Sequence, residues 1–305
     1  MKVLIATDKP FAKIAVDGIR KEIEIAGFEL ALLEKYTEKQ QLLDAVADVD
    51  AIIIRSDIID AEVIDAARNL KIVVRAGAGF DNVDLEAATK ANVCVMNTPG
   101  QNSNAVAELV FGLLVYAVRN FYNGSSGTEL KDKKLGIHAY GNVGRNVARI
   151  AKGFGMEVYA FDAYAPTEFI ENDGVKALNS AEELYAVCDV ISLHIPATAE
   201  TKKSINYALL DRMPKGAVLV NTARKEVIDE AELVKFMENR TDFKYLTDIL
   251  PDNHAEMQEK FPTRYFSTPK KVGAQTAEAN INAGIAAARQ IVGFILNSDE
   301  TFRVN

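Results

Sequence analysis

Short runs of β-branched and other apolar residues alternate with amphipathic stretches along almost all of this 305-residue chain. Parallel strands joined by crossover helices read this way in sequence, so the pattern restricts the fold to the α/β class. In the first third the strand runs fall at 2–7, 29–33, 51–55, 72–76 and 93–97. Helical patterns at 12–26 and 85–91 separate them, with turn chemistry at Gly27, Asp57 and Asp81-Asn82. A long apolar helix is expected at about 103–120, and the polar segment 122–128 then reads as a connection between domains. The alternation restarts with strands expected at 134–138, 157–161, 190–195, 217–221, 245–248 and 265–268. A last helix, about 276–296, has apolar residues at Ile281, Ile285, Ala288, Val292 and Ile295, the spacing of one buried face. The length suits two domains, and no repeat or low-complexity segment interrupts them.

Composition narrows the function classes. The net charge is −8 and no Lys/Arg tract is present, so no nucleic-acid or membrane partner is expected, and any anionic ligand must be held by a few placed cations. Cys94 and Cys188 lie in apolar settings, the usage of reduced, buried thiols. The apolar run 109–118 is too short to cross a bilayer, and the N-terminal stretch lacks a signal-peptide core, so a cytoplasmic location is expected. No metal site is expected.

The strand ending at His138 runs into Ala139-Tyr-Gly-Asn-Val-Gly144 and then an amphipathic helix at 145–154. A glycine turn at a helix N-terminus offers free amides and the positive end of the helix dipole to a pyrophosphate. Asp162, about 20 residues on, can accept a hydrogen bond from a ribose hydroxyl and would repel a 2′-phosphate, which favours NAD over NADP. Ala139 departs from the fingerprint by occupying its first glycine position.

Five ordered stretches, 75–84 beginning Arg75-Ala-Gly-Ala-Gly, 97–108 beginning Asn97-Thr-Pro-Gly, Ser192-Leu-His-Ile-Pro, 213–224 closing on Asn221-Thr-Ala-Arg, and Gly273-Ala-Gln-Thr, resemble the D-2-hydroxyacid dehydrogenases over almost the whole chain. Within that family they are closest to the branch that oxidises 3-phospho-D-glycerate to 3-phosphooxypyruvate with NAD, at the entry to serine synthesis. The resemblance implies a discontinuous, flavodoxin-like substrate domain, residues 1–98 plus 277–305, and an inserted Rossmann NAD-binding domain, residues 99–276, with a cleft between them. It implies a homodimer, and a small anionic 2-hydroxy or 2-oxo acid as substrate, phosphorylated in this branch. With the sequence stopping at Asn305, the C-terminal regulatory domain of many relatives is expected to be absent, and with it serine feedback.

By the same resemblance Tyr140, Gly141, Asn142, Val143, Asp162, His194, Pro196, Thr222, Ala223, Asp248, Gly273 and Ala274 lie along the cofactor, and the amides of Gly77, Ala78 and Gly79 near the substrate carboxylate. The family works with an Arg, a Glu and a His. Arg224 is retained and suits a two-pronged grip on a carboxylate and the adjacent carbonyl. The Glu position holds Asn253. The His position falls in the segment 269–274, one residue longer than the family pattern; anchoring on Gly273-Ala274 puts Lys271 there, and anchoring on Pro269 puts Lys270 there. The glycine anchor is preferred. A lysine can carry the hydroxyl proton if burial and Arg224 lower its pKa, and the missing Glu is coherent, since a carboxylate would keep a lysine protonated. His254 is a weaker candidate, while His194 reads as a cofactor-side residue and His138 as a core histidine. Arg55 and Arg75, at strand ends, are candidates for the substrate phosphate, each against a surface ion-pair role. Asn102 and Asn104 stand at the start of the long helix, where an N-cap role competes with substrate contact for both, Asn104 being the better candidate for the cap. Two other readings stay open: a reductase of hydroxypyruvate, glyoxylate or another 2-oxo acid, and a catalytically inactive NADH-binding regulatory protein.

Overall fold

The computed structural model describes all 305 residues, and they form two compact units, Met1–Asn102 with Gln275–Asn305, and Ser103–Ala274. The family resemblance puts these breaks at 98/99 and 276/277.

Unit 1 begins with β1 (Lys2–Thr7), α1 (Lys13–Ile25), β2 (Glu29–Glu34), α2 (Lys39–Val46), β3 (Ala51–Ile54), α3 (Ala61–Ala66), β4 (Ile72–Arg75), α4 (Leu85–Lys90) and β5 (Cys94–Asn97). Its sheet is wholly parallel in the order β2-β1-β3-β4-β5, the flavodoxin-like arrangement. Ile52, Ile53 and Ile54 are fully buried because helices cover both faces, which is why β3 is an unbroken apolar run.

Unit 2 follows with α5 (Ser103–Val118), β6 (Lys134–His138), α6 (Asn142–Gly153), β7 (Glu157–Phe161), α7 (Thr167–Asn172), β8 (Lys176–Ala177), α8 (Ala181–Val187), β9 (Val190–Leu193), α9 (Tyr207–Leu210), β10 (Val218–Asn221), α10 (Glu230–Asn239), β11 (Lys244–Thr247), α11 (His254–Lys260) and β12 (Tyr265–Ser267). Its seven parallel strands run β12-β11-β10-β9-β6-β7-β8, the Rossmann order with one strand added at the edge. The chain returns to unit 1 through α12 (Ala277–Asn297), which packs on α1, β3 and β4. Beyond it, Val304 N donates to Val95 O and Asn305 Oδ1 accepts from Val95 N, so the last residues pair with the outer edge of β5.

Two readings are corrected. Segment 122–128 is a loop of unit 2, not a connection between units: Thr128 N bonds Val118 O, and Gly127 lies so close to that carbonyl that a Cβ would stand 2.2 Å from it. Asn104 is the second residue of α5 rather than its cap, and its side chain bridges Glu108 and Arg149. The apolar pattern of α5 is spent inside the unit, with Val106, Ala107, Val110, Phe111, Leu113, Leu114 and Ala117 buried. The longest apolar helix is α12, whose 21 residues and mean hydropathy of 1.2 are enough to cross a membrane. Here one face of it is buried in unit 1, with Ala283, Ala287, Ala288 and Ile291 buried and Arg289 paired to Glu22 of α1 at 2.8 Å.

Candidate cofactor and acid-binding sites

In open α/β sheets the strand order reverses at one point, and the loops at the carboxyl ends there leave a crevice. In unit 2 this point lies between β6 and β9, with Ala139-Tyr140-Gly141 on one side and His194 on the other. Ala139 makes the turn at φ 79°, a left-handed conformation that glycine adopts without cost, so the substituted glycine position keeps its backbone geometry. Gly144 needs its hydrogen side chain because a Cβ would stand 2.5 Å from Ala139 O, where helix meets strand. Gly141 is different. It has an ordinary φ of −83° and a Cβ there would meet nothing within 4 Å, so nothing in the chain itself demands a glycine. No side chain caps α6, whose first amides stand beside that open space.

Asp162 closes the loop. Its carboxylate accepts from the amides of Tyr140 (2.7 Å), Tyr164 and Ala165 (2.8 Å each). Burial alone would raise its pKa, but the hydrogen bonds from Ala165, Tyr164 and Tyr140 outweigh it and hold the group below the usual carboxylate range. Thr222, at the end of β10, is 5% exposed and its hydroxyl has no partner. An open glycine, an uncapped helix start, an anionic acceptor and an orphaned hydroxyl fit a dinucleotide. Asn142 and Val143 open α6, with Asn142 exposed and Val143 half-buried, and Pro196 is exposed after β9.

Tyr140 requires a correction. Its side chain is 1% exposed, turned inward with its hydroxyl 3.2 Å from Asp173 and its ring edge-on to Phe169, so only its backbone reaches the loop. Asp173, which also takes Arg145 at 2.9 Å, was not singled out in the sequence because its partners lie 28 and 33 residues before it. His194 bonds Ser192 at 2.9 Å, and burial, with the charge of His138 adding, pushes it down to about 3. Burial likewise pushes His138 down to about 4, against Tyr185 at 3.3 Å. Both rings stay neutral at neutral pH.

At the ends of β10 and β11, Arg224 is exposed and Ala223 buried, the Ala223 carbonyl accepting from the Arg224 guanidinium at 2.8 Å. Asp248 is fully buried and accepts from Thr268 Oγ1 (2.8 Å), Val272 N (2.9 Å) and Gly273 N (2.8 Å). What Asp248 visibly holds is therefore the segment carrying Lys270 and Lys271. Gly273 is required for that approach, since a Cβ would lie 2.9 Å from the carboxylate, and Ala274 beside it is half-buried. Both lysines are exposed. His254 is engaged with Tyr265 at 2.8 Å, and Asn253 with Glu230.

In unit 1 the strand order reverses between β1 and β3. Arg55 follows β3: its guanidinium donates to Lys9 O (3.0 Å), Pro10 O (3.4 Å) and Asn280 Oδ1 (2.8 Å) and lies over Phe11. Arg75 ends β4 and donates from Nε to Arg55 O at 3.0 Å. Burial lowers the Arg75 pKa, with Asp81 opposing and Arg55 adding its repulsion. Neither arginine has a carboxylate within ion-pair distance, so the ion-pair role is not what either does. Gly77 packs flat against the Arg75 guanidinium, where a Cβ would overlap Nη1 at 1.5 Å. Asn97 Nδ2 to Ala78 O (2.6 Å) and Thr98 N to Gly77 O (2.9 Å) pin the loop of Gly77, Ala78 and Gly79. Asn102, the last residue before α5, is half-buried. Cys94 and Cys188 are buried free thiols, pushed by burial up to about 11 and about 12.

Comparison with known proteins agrees with this architecture. The family described as D-isomer specific 2-hydroxyacid dehydrogenase, NAD binding domain, matches residues 116–270. The D-3-phosphoglycerate dehydrogenase of Methanocaldococcus jannaschii is 34% identical over 268 residues, 83% of this chain and 51% of that protein. The hydroxypyruvate reductase of Thermotoga maritima is 32% identical over 281 residues, 86% of this chain and 90% of that one. The crystal structure of NAD+-bound 3-phosphoglycerate dehydrogenase from Entamoeba histolytica superposes with a TM-score of 0.86 at 46% identity, covering 100% of this chain and 98% of that one. This chain belongs to the D-isomer specific 2-hydroxyacid dehydrogenases, and unit 2 contains their NAD-binding domain. It spans about half the length of the Methanocaldococcus relative.

Proposed function

We propose that this protein is an NAD-dependent D-3-phosphoglycerate dehydrogenase, interconverting 3-phospho-D-glycerate and 3-phosphooxypyruvate in serine biosynthesis. The observation that carries the substrate choice is the pair Arg55 and Arg75, two neighbouring guanidinia whose hydrogen-bond partners are all neutral oxygens. A phosphate suits such a pair, because arginine matches its geometry. The similarity to 3-phosphoglycerate dehydrogenases supports the same reading.

When bound, the nicotinamide accepts or gives the hydride. The open start of α6 and Gly141 would hold the pyrophosphate, Asp162 would accept from the adenosine ribose, and the orphaned Thr222 hydroxyl would gain a partner. The amides of Gly77, Ala78 and Gly79 receive the substrate carboxylate, and Asn102 contacts the acid. Arg224 grips carboxylate and carbonyl oxygen together. Lys271, with Lys270 the alternative, gives its proton to the carbonyl oxygen in reduction. Asp248 keeps the lysine segment in place. A homodimer and a cytoplasmic location complete the reading, and sedimentation would check the first.

The test is NADH absorbance during reduction of 3-phosphooxypyruvate beside hydroxypyruvate and glyoxylate, for the native protein, Lys271→Ala, Lys270→Ala and Arg55→Ala. Expected are a preference for the phosphorylated acid, its loss in Arg55→Ala, and collapse of the rate in one lysine variant, most of all Lys271→Ala. Equal rates on hydroxypyruvate would transfer the assignment to a 2-oxo acid reductase, the reading that similarity to the Thermotoga enzyme favours. Binding of NADH without reduction of any of the three would leave a regulatory protein.

A further inference from the structure

Asp57 stands two residues beyond Arg55 and is 5% exposed, a buried carboxylate with no cation in ion-pair contact. Buried carboxylates persist where donors from the fold itself satisfy them. Here Oδ1 accepts from Asp8 N (2.8 Å) and Tyr36 Oη (2.7 Å), and Oδ2 from Arg55 N (3.3 Å). Those donors follow β1, β2 and β3, so the carboxylate ties the three loops around the point where the strand order reverses. Burial and Asp57 together raise the Tyr36 hydroxyl well above its ordinary range, which keeps it a donor.

The consequence reaches Arg55 by two routes. Its backbone hangs directly from Oδ2. Its guanidinium rests on the carbonyl of Lys9, the residue after the one whose amide Oδ1 holds, and Thr7 Oγ1 tightens the same turn at 2.8 Å. From the other side Asn280 presents its Oδ1 because its Nδ2 is committed to Thr276 O at 2.8 Å. Asn82 Nδ2 bonds Asp57 O at 2.6 Å and fixes the turn from below. Side chain and main chain of one arginine are thus set by one buried group.

We infer that Asp57 is a positioning residue for substrate specificity: it holds Arg55 where a phosphate on the acid substrate is read, and touches no substrate itself. The inference rests on the substrate reading above. It also separates two effects of opposite sign. As a bracket Asp57 strengthens phosphate recognition; as a mere counter-charge it would weaken it.

Asp57→Asn distinguishes them, because the amide keeps the shape but turns a donor toward Arg55 N or gives up an acceptor. Expected is a rise of about tenfold in KM for 3-phosphooxypyruvate, the scale of one charge-assisted hydrogen bond, with KM for hydroxypyruvate, kcat and NADH affinity little changed. A KM for the phosphorylated acid that falls would show a counter-charge and overturn the inference, as would an equal rise for both acids. Should Asp57→Asn fail to fold, Tyr36→Phe, which removes one of the same three donors, is expected to give a smaller rise confined to the phosphorylated acid; a rise for both acids counts against the idea. If the native protein shows no preference for phosphorylated acid, the substrate reading fails on its own. The crystal structure of the variant then decides positioning: an Arg55 still seated on Lys9 O and Asn280 overturns it, a displaced one supports it.

Discussion

Ala139 carries a Cβ in a backbone conformation that costs an L-residue about 1 kcal/mol or more. The turn cannot relax, because its carbonyl packs against Gly144 and its amide bonds Phe161 O at 2.8 Å. Ala139→Gly should therefore stabilise the protein by about 1 kcal/mol, offset in part by the freer unfolded chain. Thermal denaturation would check it, and an unchanged or lower Tm would show that the alanine is not strained. The residues that make the cofactor loop were legible because their spacing is fixed by a single strand, turn and helix. Tyr140 and Asp57 were not: whether each side chain turns inward depends on Asp173 and Tyr36, residues that only the fold brings near.

At the scale of elements, α12 starts on Thr276, whose hydroxyl accepts from Ala279 N at 3.1 Å. Thr276→Ala removes that cap and should cost about 1 kcal/mol, measured as a shift of the urea midpoint without change of slope; no shift would mean packing on α1 already fixes the start. Both parallel sheets could be read in the chain because buried strands are continuous apolar runs. Their ends were overrun by a residue or two where a loop competes for the backbone. Arg55 was expected inside the third strand, yet its amide is taken by the Asp57 carboxylate, so β3 stops at Ile54. The two-residue strand β8 lacked any such run and could not be anticipated.

For the molecule as a whole, the two neutral histidines set a pH dependence. In the unfolded chain imidazoles protonate near 6.5, whereas burial holds His138 to about 4 and His194 to about 3. Between those values the unfolded state binds more protons, so stability is complete above 6.5 and is lost as pH falls toward 3, by about 1.4 kcal/mol for each unit of pKa depression. Ring-nitrogen NMR should find both imidazoles unprotonated at pH 5.5, with Tm falling over the same window; ordinary titration near 6.5 would refute it. The interrupted course of unit 1 has a temporal consequence. Unit 2 is one uninterrupted stretch, so everything it packs against itself has been synthesised before α12 emerges. The five-stranded sheet must wait, with the faces that α12 covers exposed to whatever chaperones attend the ribosome, until residues 275–305 arrive to close it.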